Sequence, residues 1–244
     1  MAALTIGLMN QSSTLANDEV ARVAAALDIQ VKRDLLPIWN VTADVITIPA
    51  DQPVPRGVSP IIIVDETPGN FAGVHRITET IPWAMVSTKR DWALAASHEC
   101  IELLIDPSGM TTCSSFGLAL VDGALHELEE RFDYLLEACD PIEDSDHAYL
   151  INGIAVSDFY TPHYFDDTVT AGTRYSFNGA LSRPREVGRN GYLSWRDKTT
   201  GRYRQLQNFG AYAVVELPDA SSVVNARMFV DHHTPTPRTH PELF

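Results

Sequence analysis

The residues best equipped for chemistry lie in Ser97-His98-Glu99-Cys100-Ile101-Glu102. The stretch around them, residues 91–105, is apolar at Trp92, Leu94, Ala95, Ala96, Ile101, Leu103, Leu104 and Ile105, and its spacing predicts a helix. On a helix His98 and Glu102 project from one face about one turn apart, with Glu99 beside His98. The arrangement follows the physics of H-E-x-x-H, where two ligands at i and i+4 hold Zn²⁺ and the intervening Glu takes a proton from water. Here a carboxylate replaces the second imidazole. Its oxygen still binds zinc, but it lowers the net charge of the site and with it the Lewis acidity. Polar groups in a helix otherwise built for burial need a metal, mutual partners or a cleft, because burying an unpaired charge is costly.

The same pattern recurs in His126-Glu127-Leu128-Glu129-Glu130, but there it sits among further acids without an apolar frame, and a solvated face explains it. A catalytic zinc site needs a third protein ligand and an open position. The richest carboxylate cluster downstream is Glu137-Ala138-Cys139-Asp140-Pro141-Ile142-Glu143-Asp144. Asp140 is the first choice, because Pro141 forces the chain to turn beside it; Glu137 and Glu143 are reserves. Asp106 is a further option, although Asp106-Pro107 reads first as helix termination. Residues 156–165 concentrate aromatics around Asp158 and His163, and Tyr160, His163 or Tyr164 is the type of donor that a developing oxyanion requires. His75 and the pair His232-His233 carry no comparable context.

These groups belong to a chain of 244 residues with 45% hydrophobic and 20% charged residues, ordinary globular composition with room for a core. Eighteen Lys+Arg against 32 Asp+Glu give a formal charge of -14. That balance argues against a nucleic-acid partner, whose binding depends on basic side chains displacing counterions. The basic cluster Arg183, Arg185, Arg189, Arg196, Lys198, Arg202 and Arg204 reads as solvated hairpin faces. No stretch approaches the roughly 20 apolar residues of a membrane helix, and residues 1–10 show no secretion-signal pattern, so a soluble chain is expected. Cys100, Cys113 and Cys139 lack the short paired spacings of zinc knuckles or redox motifs and read as free buried thiols.

The elements that must position the site read as an α/β (α+β) arrangement. Residues 4–9 predict a strand, and a helix opens near Asn17-Asp18-Glu19, with Val20, Val23, Ala24, Leu27, Val31 and Leu35 on one face and Pro37 at its end. Residues 45–48, 61–64 and 83–88 predict strands; Ile61-Ile62-Ile63-Val64 is apolar throughout, as in an interior strand, and Thr67-Pro68-Gly69-Asn70 predicts a turn. Residues 124–131 read as a charged helix, which residues 132–139 extend or follow as a strand. Beyond them lie hairpin-like stretches around Gly191-Tyr192-Leu193 and residues 212–217. The organisation expected is a main domain over 1–165, a β-rich extension over 166–230 packed on it, and an extended tail over 231–244.

A strand followed at once by an HExx helix resembles the zincin metallopeptidases. In those folds the equivalent edge strand pairs with an extended peptide. The chain also resembles a family of uncharacterised bacterial and phage proteins. The shared residues are Asn10-Gln11-Ser12; Gln30, Arg33, Asp34, Pro37 and Trp39; Ser97-His98-Glu99, Glu102, Asp106 and Pro107; Glu137, Cys139, Asp140, Pro141 and Glu143; and residues 156–159 with Thr161, Pro162 and Phe165. They span most of the first 165 residues. The resemblance implies a zincin-like mixed twisted sheet and a zinc metallohydrolase, first of all a peptidase. His98, Glu102 and Asp140 would be its ligands, Glu99 its general base, and His163 or Tyr164 would assist at the carbonyl. The alternative expectation, from a different class, is a catalytically silent module with protein partners in a larger assembly such as a phage particle.

Overall fold

In the computed structural model, residues 4–67, 73–78 and 81–217 are described. The order opens with β1 (Leu4–Asn10), α1 (Asn17–Ile29), a π-helical turn (Gln30–Leu35), a short α2 (Leu36–Trp39), β2 (Ala43–Ile48), β3 (Val58–Val64), β4 (Gly73–Thr78), β5 (Ile81–Ser87) and α3 (Trp92–Ile105). The five strands form one sheet in the order β2-β1-β3-β5-β4, parallel except for β4, which runs antiparallel to β5. Ile6, Leu8, Val45, Ile61, Ile63, Ala84 and Val86 join α1 and α3 residues such as Leu27, Ala96 and Ile101 in one buried cluster. β3 lies between β1 and β5, as its unbroken apolar run requires.

A second five-stranded sheet is antiparallel throughout. Its strands are β6 (Thr112–Val121), β7 (Ala124–Leu135), β10 (Tyr192–Arg196), β11 (Tyr203–Asn208) and β12 (Tyr212–Glu216), in the order β12-β11-β10-β7-β6. A small hairpin, β8 (Tyr149–Ile151) with β9 (Ile154–Val156), is inserted between β7 and β10 of the second sheet in sequence. The chain is thus α+β, with a mixed sheet and an antiparallel one. Its main buried cluster is continuous from Ile6 to Leu206, through Tyr134, Phe159, Tyr160, Leu181 and Trp195. No helix among the described residues is long and apolar enough to cross a membrane.

Several expectations change. The charged helix over 124–131 is instead strand β7, paired with β6 around Asp122-Gly123. Both turn residues have positive φ (50° and 79°), the backbone that a tight two-residue hairpin turn demands. Pro37 does not end the first helix. It falls in the first turn of α2, where its missing N–H costs little, and the helical run ends at left-handed Asn40 (φ 54°). The strand before α3 is not an edge: β5 has β3 on one side and β4 on the other, so the edge on that side of the sheet is β4 and the opposite one is β2. Pro82 is tolerated because the β3 ladder begins only at Ala84.

Arg185 is not on a solvated face either. It is buried, and its guanidinium donates to Ser115 Oγ, to the Asp166 carbonyl at 2.6 Å and to Glu127. The expected turn past Thr67 and the tail from Asp231, including His232-His233, lie outside the described residues.

Candidate metal centre

α3 begins cleanly: Asp91 Oδ1 accepts the Leu94 N–H at 3.2 Å, and the helix runs for 14 residues with nine of them buried. A helix this apolar packs all round, so its polar residues are carried into the protein rather than turned to solvent. His98 keeps 15% of its side chain exposed, whereas Glu102 is 0% and Glu99 is also buried.

Asp140 comes from a different segment. The β7 strand ends at Leu135, and the chain then turns through a single 3₁₀ turn, Asp140–Ile142. This turn is fixed from three sides. Ile142 N–H bonds Cys139 O at 3.0 Å, Gly188 N–H bonds Pro141 O at 2.8 Å, and Tyr160 N–H bonds Ala138 O at 2.8 Å. Gly191, at the start of β10, approaches so closely that a Cβ there would lie 2.4 Å from Pro141 O, so only glycine lets the second sheet press against the Asp140 turn.

The result is a compact group. His98 Nε2 lies 3.1 Å from Glu102 Oε2 and 3.0 Å from Asp140 Oδ1. One ligand atom from each of the three residues lies within 4.8 Å of the other two. The Cys139 N–H donates to Glu102 Oε1 at 2.9 Å, which orients the carboxylate with Oε2 toward His98. Sequence spacing carried no sign of this backbone donor. Asp140 Oδ2 is buried and has no hydrogen-bond partner among the described residues.

The electrostatics are lopsided. Burial opposes a charge on His98, but the field of the site outweighs it and raises the imidazole pKa to about 10, with Cys139, Asp140 and Glu99 as the sources. Cys139 cannot carry that effect at neutral pH, because burial pushes its own thiol up to about 12. Asp140 and Glu99 are the sources that favour the protonated imidazole. The donor set of one nitrogen and two oxygens fits zinc and related transition ions; a Ca²⁺ site would use oxygen alone and leave His98 out.

The remaining candidates are placed as follows. Glu99 is buried next to His98 and acts on its charge, but it is not one of the three converging residues. Asp106 accepts from Ser108 N–H, Ser108 Oγ, Thr111 N–H and Thr111 Oγ1, so it caps the exit from α3. Glu137 is buried and Glu143 half-buried, and neither joins the group. His163 is directed elsewhere: its side chain is 60% exposed and pairs with Asp166 at 2.8 Å. Tyr164 is buried, and its hydroxyl donates to Glu186 O at 2.9 Å. The tyrosine with an uncommitted hydroxyl is Tyr160, which is fully buried, stacks on Tyr164 with ring centres 4.3 Å apart, and has no hydrogen-bond partner for its phenol among the described residues. Burial raises its pKa well above the ordinary value, and Tyr164, Glu137 and Asp140 add to the shift.

Comparison with protein-family models, curated proteins and solved structures returns no match for this chain.

Proposed function

We propose that the chain is a zinc-dependent hydrolase, with peptides as the first substrate class to examine. The observation that carries this reading is the convergence of His98, Glu102 and Asp140 from two segments into one buried group with ligand atoms within 4.8 Å. The donor set supports it, because one imidazole nitrogen and two carboxylate oxygens suit zinc. Zinc, when bound, supplies Lewis acidity toward an acyl oxygen. Glu99, adjacent to His98, is the base that accepts a proton from the attacking water and returns it to the leaving group. Tyr160 replaces His163 and Tyr164 as the donor for the developing oxyanion, because its hydroxyl is not committed to the fold. The antiparallel edge strand β4 offers the backbone groups that an extended peptide would pair with.

A second reading has its own support. Glu102 and Asp140 are 0% and 1% exposed, the enclosure typical of a structural centre. Among the described residues, cavities of about 450 and 180 Å³ are lined away from the group, the first by Met110, Asp133, Arg196 and Tyr203 and the second by Leu118, Glu127 and Arg185. In that reading the group stabilises a module that assembles with other proteins.

Elemental mass spectrometry tests both readings on protein purified without chelator or histidine tag, comparing wild type with His98→Ala/Glu102→Ala. Near one zinc per chain, lost in the double variant, is expected. Absence of metal from folded wild type overturns the hydrolase reading. Glu99→Gln then separates enzyme from module: an enzyme keeps its zinc and loses hydrolysis, while a module is unaffected.

A further inference from the structure

Ser97, the residue before His98, is fully buried, and its hydroxyl belongs to a closed polar circuit. Ser97 Oγ donates to Gln30 Oε1 at 2.7 Å and accepts the Ser157 N–H at 2.8 Å. Gln30 Nε2 donates to Ser157 O at 2.9 Å and to the Tyr149 hydroxyl at 3.1 Å. The tyrosine donates onward to Asp34 Oδ2 at 2.9 Å, and Arg33 grips the same carboxylate through Nε and Nη2 at 2.6 and 2.8 Å. Asp34 is buried and the Arg33 side chain is largely exposed, so one line of hydrogen bonds runs from a solvated guanidinium to the residue beside the first metal-site side chain.

The donors and acceptors leave one solution. The Ser157 carbonyl can only accept, so the Gln30 atom facing it is the amide nitrogen, and the amide oxygen faces Ser97 Oγ, which donates to it while accepting the Ser157 N–H. The amide nitrogen then faces a carbonyl and a phenol, both able to accept. Gln30 is 0% exposed, and its oxygen and both N–H groups are used. It occupies the first position of the π-helical turn, an irregularity that recurs at functional sites, and this turn buries Gln30, Val31, Asp34 and Leu35 together.

We infer that Gln30 is a positioning residue for the His98-Glu102-Asp140 group. The inference rests on reading that group as a metal site. Through Ser97, Gln30 fixes the rotation of α3 about its axis, and through Ser157 it fixes the segment leading to Tyr160. The Tyr160 N–H then holds Ala138 O, two residues before Asp140. One carboxamide therefore sets the relative placement of the two segments that supply ligands. A metal site tolerates misplacement of only about 0.5 Å in its ligands.

The test compares wild type, Gln30→Met and Arg185→Lys in zinc competition against a chromophoric chelator, with the visible spectrum of the Co²⁺-loaded protein and a thermal melt. Arg185→Lys disturbs a buried polar network that includes none of the three ligands and none of the Gln30 circuit, and controls for lost stability. Gln30→Met is expected to weaken zinc binding about 10- to 100-fold, the range for outer residues that orient ligands, and to alter the Co²⁺ spectrum. Arg185→Lys is expected to lower the melting temperature and leave both readouts unchanged. A folded Gln30→Met protein with wild-type zinc affinity and Co²⁺ spectrum overturns the positioning role and leaves the metal site standing. A wild type that takes up neither Zn²⁺ nor Co²⁺ overturns the metal reading beneath it. Where Gln30→Met does not fold, Ser97→Ala is read instead: it removes one hydroxyl from a helix that favours alanine and is expected to act in the same direction with a smaller amplitude.

Discussion

The chain writes the pattern H-E-x-x-E twice, and the two copies meet opposite fates. His98 and Glu102 lie on α3, where four residues advance about 6 Å along the axis and return to the same face. His126 and Glu130 lie on β7, where four residues of regular strand advance about 13 Å. The first pair meets at 3.1 Å inside the protein; the second sits on an exposed hairpin. A ligand motif is therefore a statement about secondary structure before it is a statement about metal. The apolar frame of α3 makes its copy a site, and the frame of β7 makes its copy a solvated surface.

The sharpest way to break this contrast is to remove the last residue of each copy. Glu102→Ala deletes a buried carboxylate, leaves the Cys139 N–H without its acceptor, and strips one counter-charge from His98. In chelator, the expected loss of stability is about 3–5 kcal/mol, the cost of breaking a buried charge pair. Glu130→Ala is expected to stay within about 0.5 kcal/mol, and His126→Ala/Glu130→Ala is expected to keep the wild-type zinc content. Urea unfolding of the metal-free proteins measures the first pair, and elemental analysis the second. Equal losses from both helix and hairpin variants would erase the distinction.

The contrast also shows what a sequence reader can see. α3 was legible because its apolar run is long, capped by Asp91 and stopped by Asp106-Pro107. β1 and β3 were legible for the same kind of reason. The first part of β7, residues 124–131, was not, because Leu125, Leu128 and Phe132 fall at helical spacing, whereas from Phe132 on the sequence also admits a strand. The structure explains the disguise: the register with β6 shifts between Phe116 and Leu118, so Phe116 faces Arg131 while Leu118 faces Glu127, and the bulge breaks the two-residue alternation. The available signal was Asp122-Gly123, a hairpin turn pair. At the site, the helical half could be read from spacing. Asp140 is the first choice from the Pro141 turn, ahead of Glu137 and Glu143. What seats that turn beside α3 is the approach of Gly188 and Gly191 to Pro141, a contact between residues some fifty positions apart that local pattern does not encode.

One residue of the second copy does have structural work. Glu127 pairs with buried Arg185, which also holds Ser115 and the Asp166 carbonyl, so the hairpin is tied to the loop that follows residue 165. Glu127 is half-exposed, and solvent screening discounts the pair. Glu127→Gln is expected to cost about 0.5–1 kcal/mol in a urea titration, with zinc content unchanged. A larger loss, or any loss of zinc, would mean that the hairpin is coupled to the metal centre and that the two copies are not independent.

The smallest difference between the two regions should lie in how their aspartates respond to pH, and its sign is opposite in each. Asp158, buried beside the site, has its pKa raised by burial, against which the Asn178 N–H, Ser176 and the Phe159 N–H pull down. Asp197, between β10 and β11, has its pKa lowered, first by the Thr200 N–H. A raised native pKa means the folded protein holds the proton more tightly than the unfolded chain. The Asp158 contribution is then full below the ordinary aspartate value, about 3.9, and is lost as pH rises through the raised value. The Asp197 contribution is full above that ordinary value and is lost as pH falls through the lowered one. Urea midpoints between pH 3 and 8 should therefore diverge. Asp158→Asn is expected to improve relative to wild type as pH rises above about 4, because the amide still accepts from Phe159 and Asn178 through its oxygen. Asp197→Asn is expected to lie below wild type by a constant amount above about pH 4 and to draw level only as pH falls below it. Parallel curves for the two variants would show that burial at residue 158 is relieved by water in solution, and would remove the electrostatic half of the contrast between the enclosed and exposed regions.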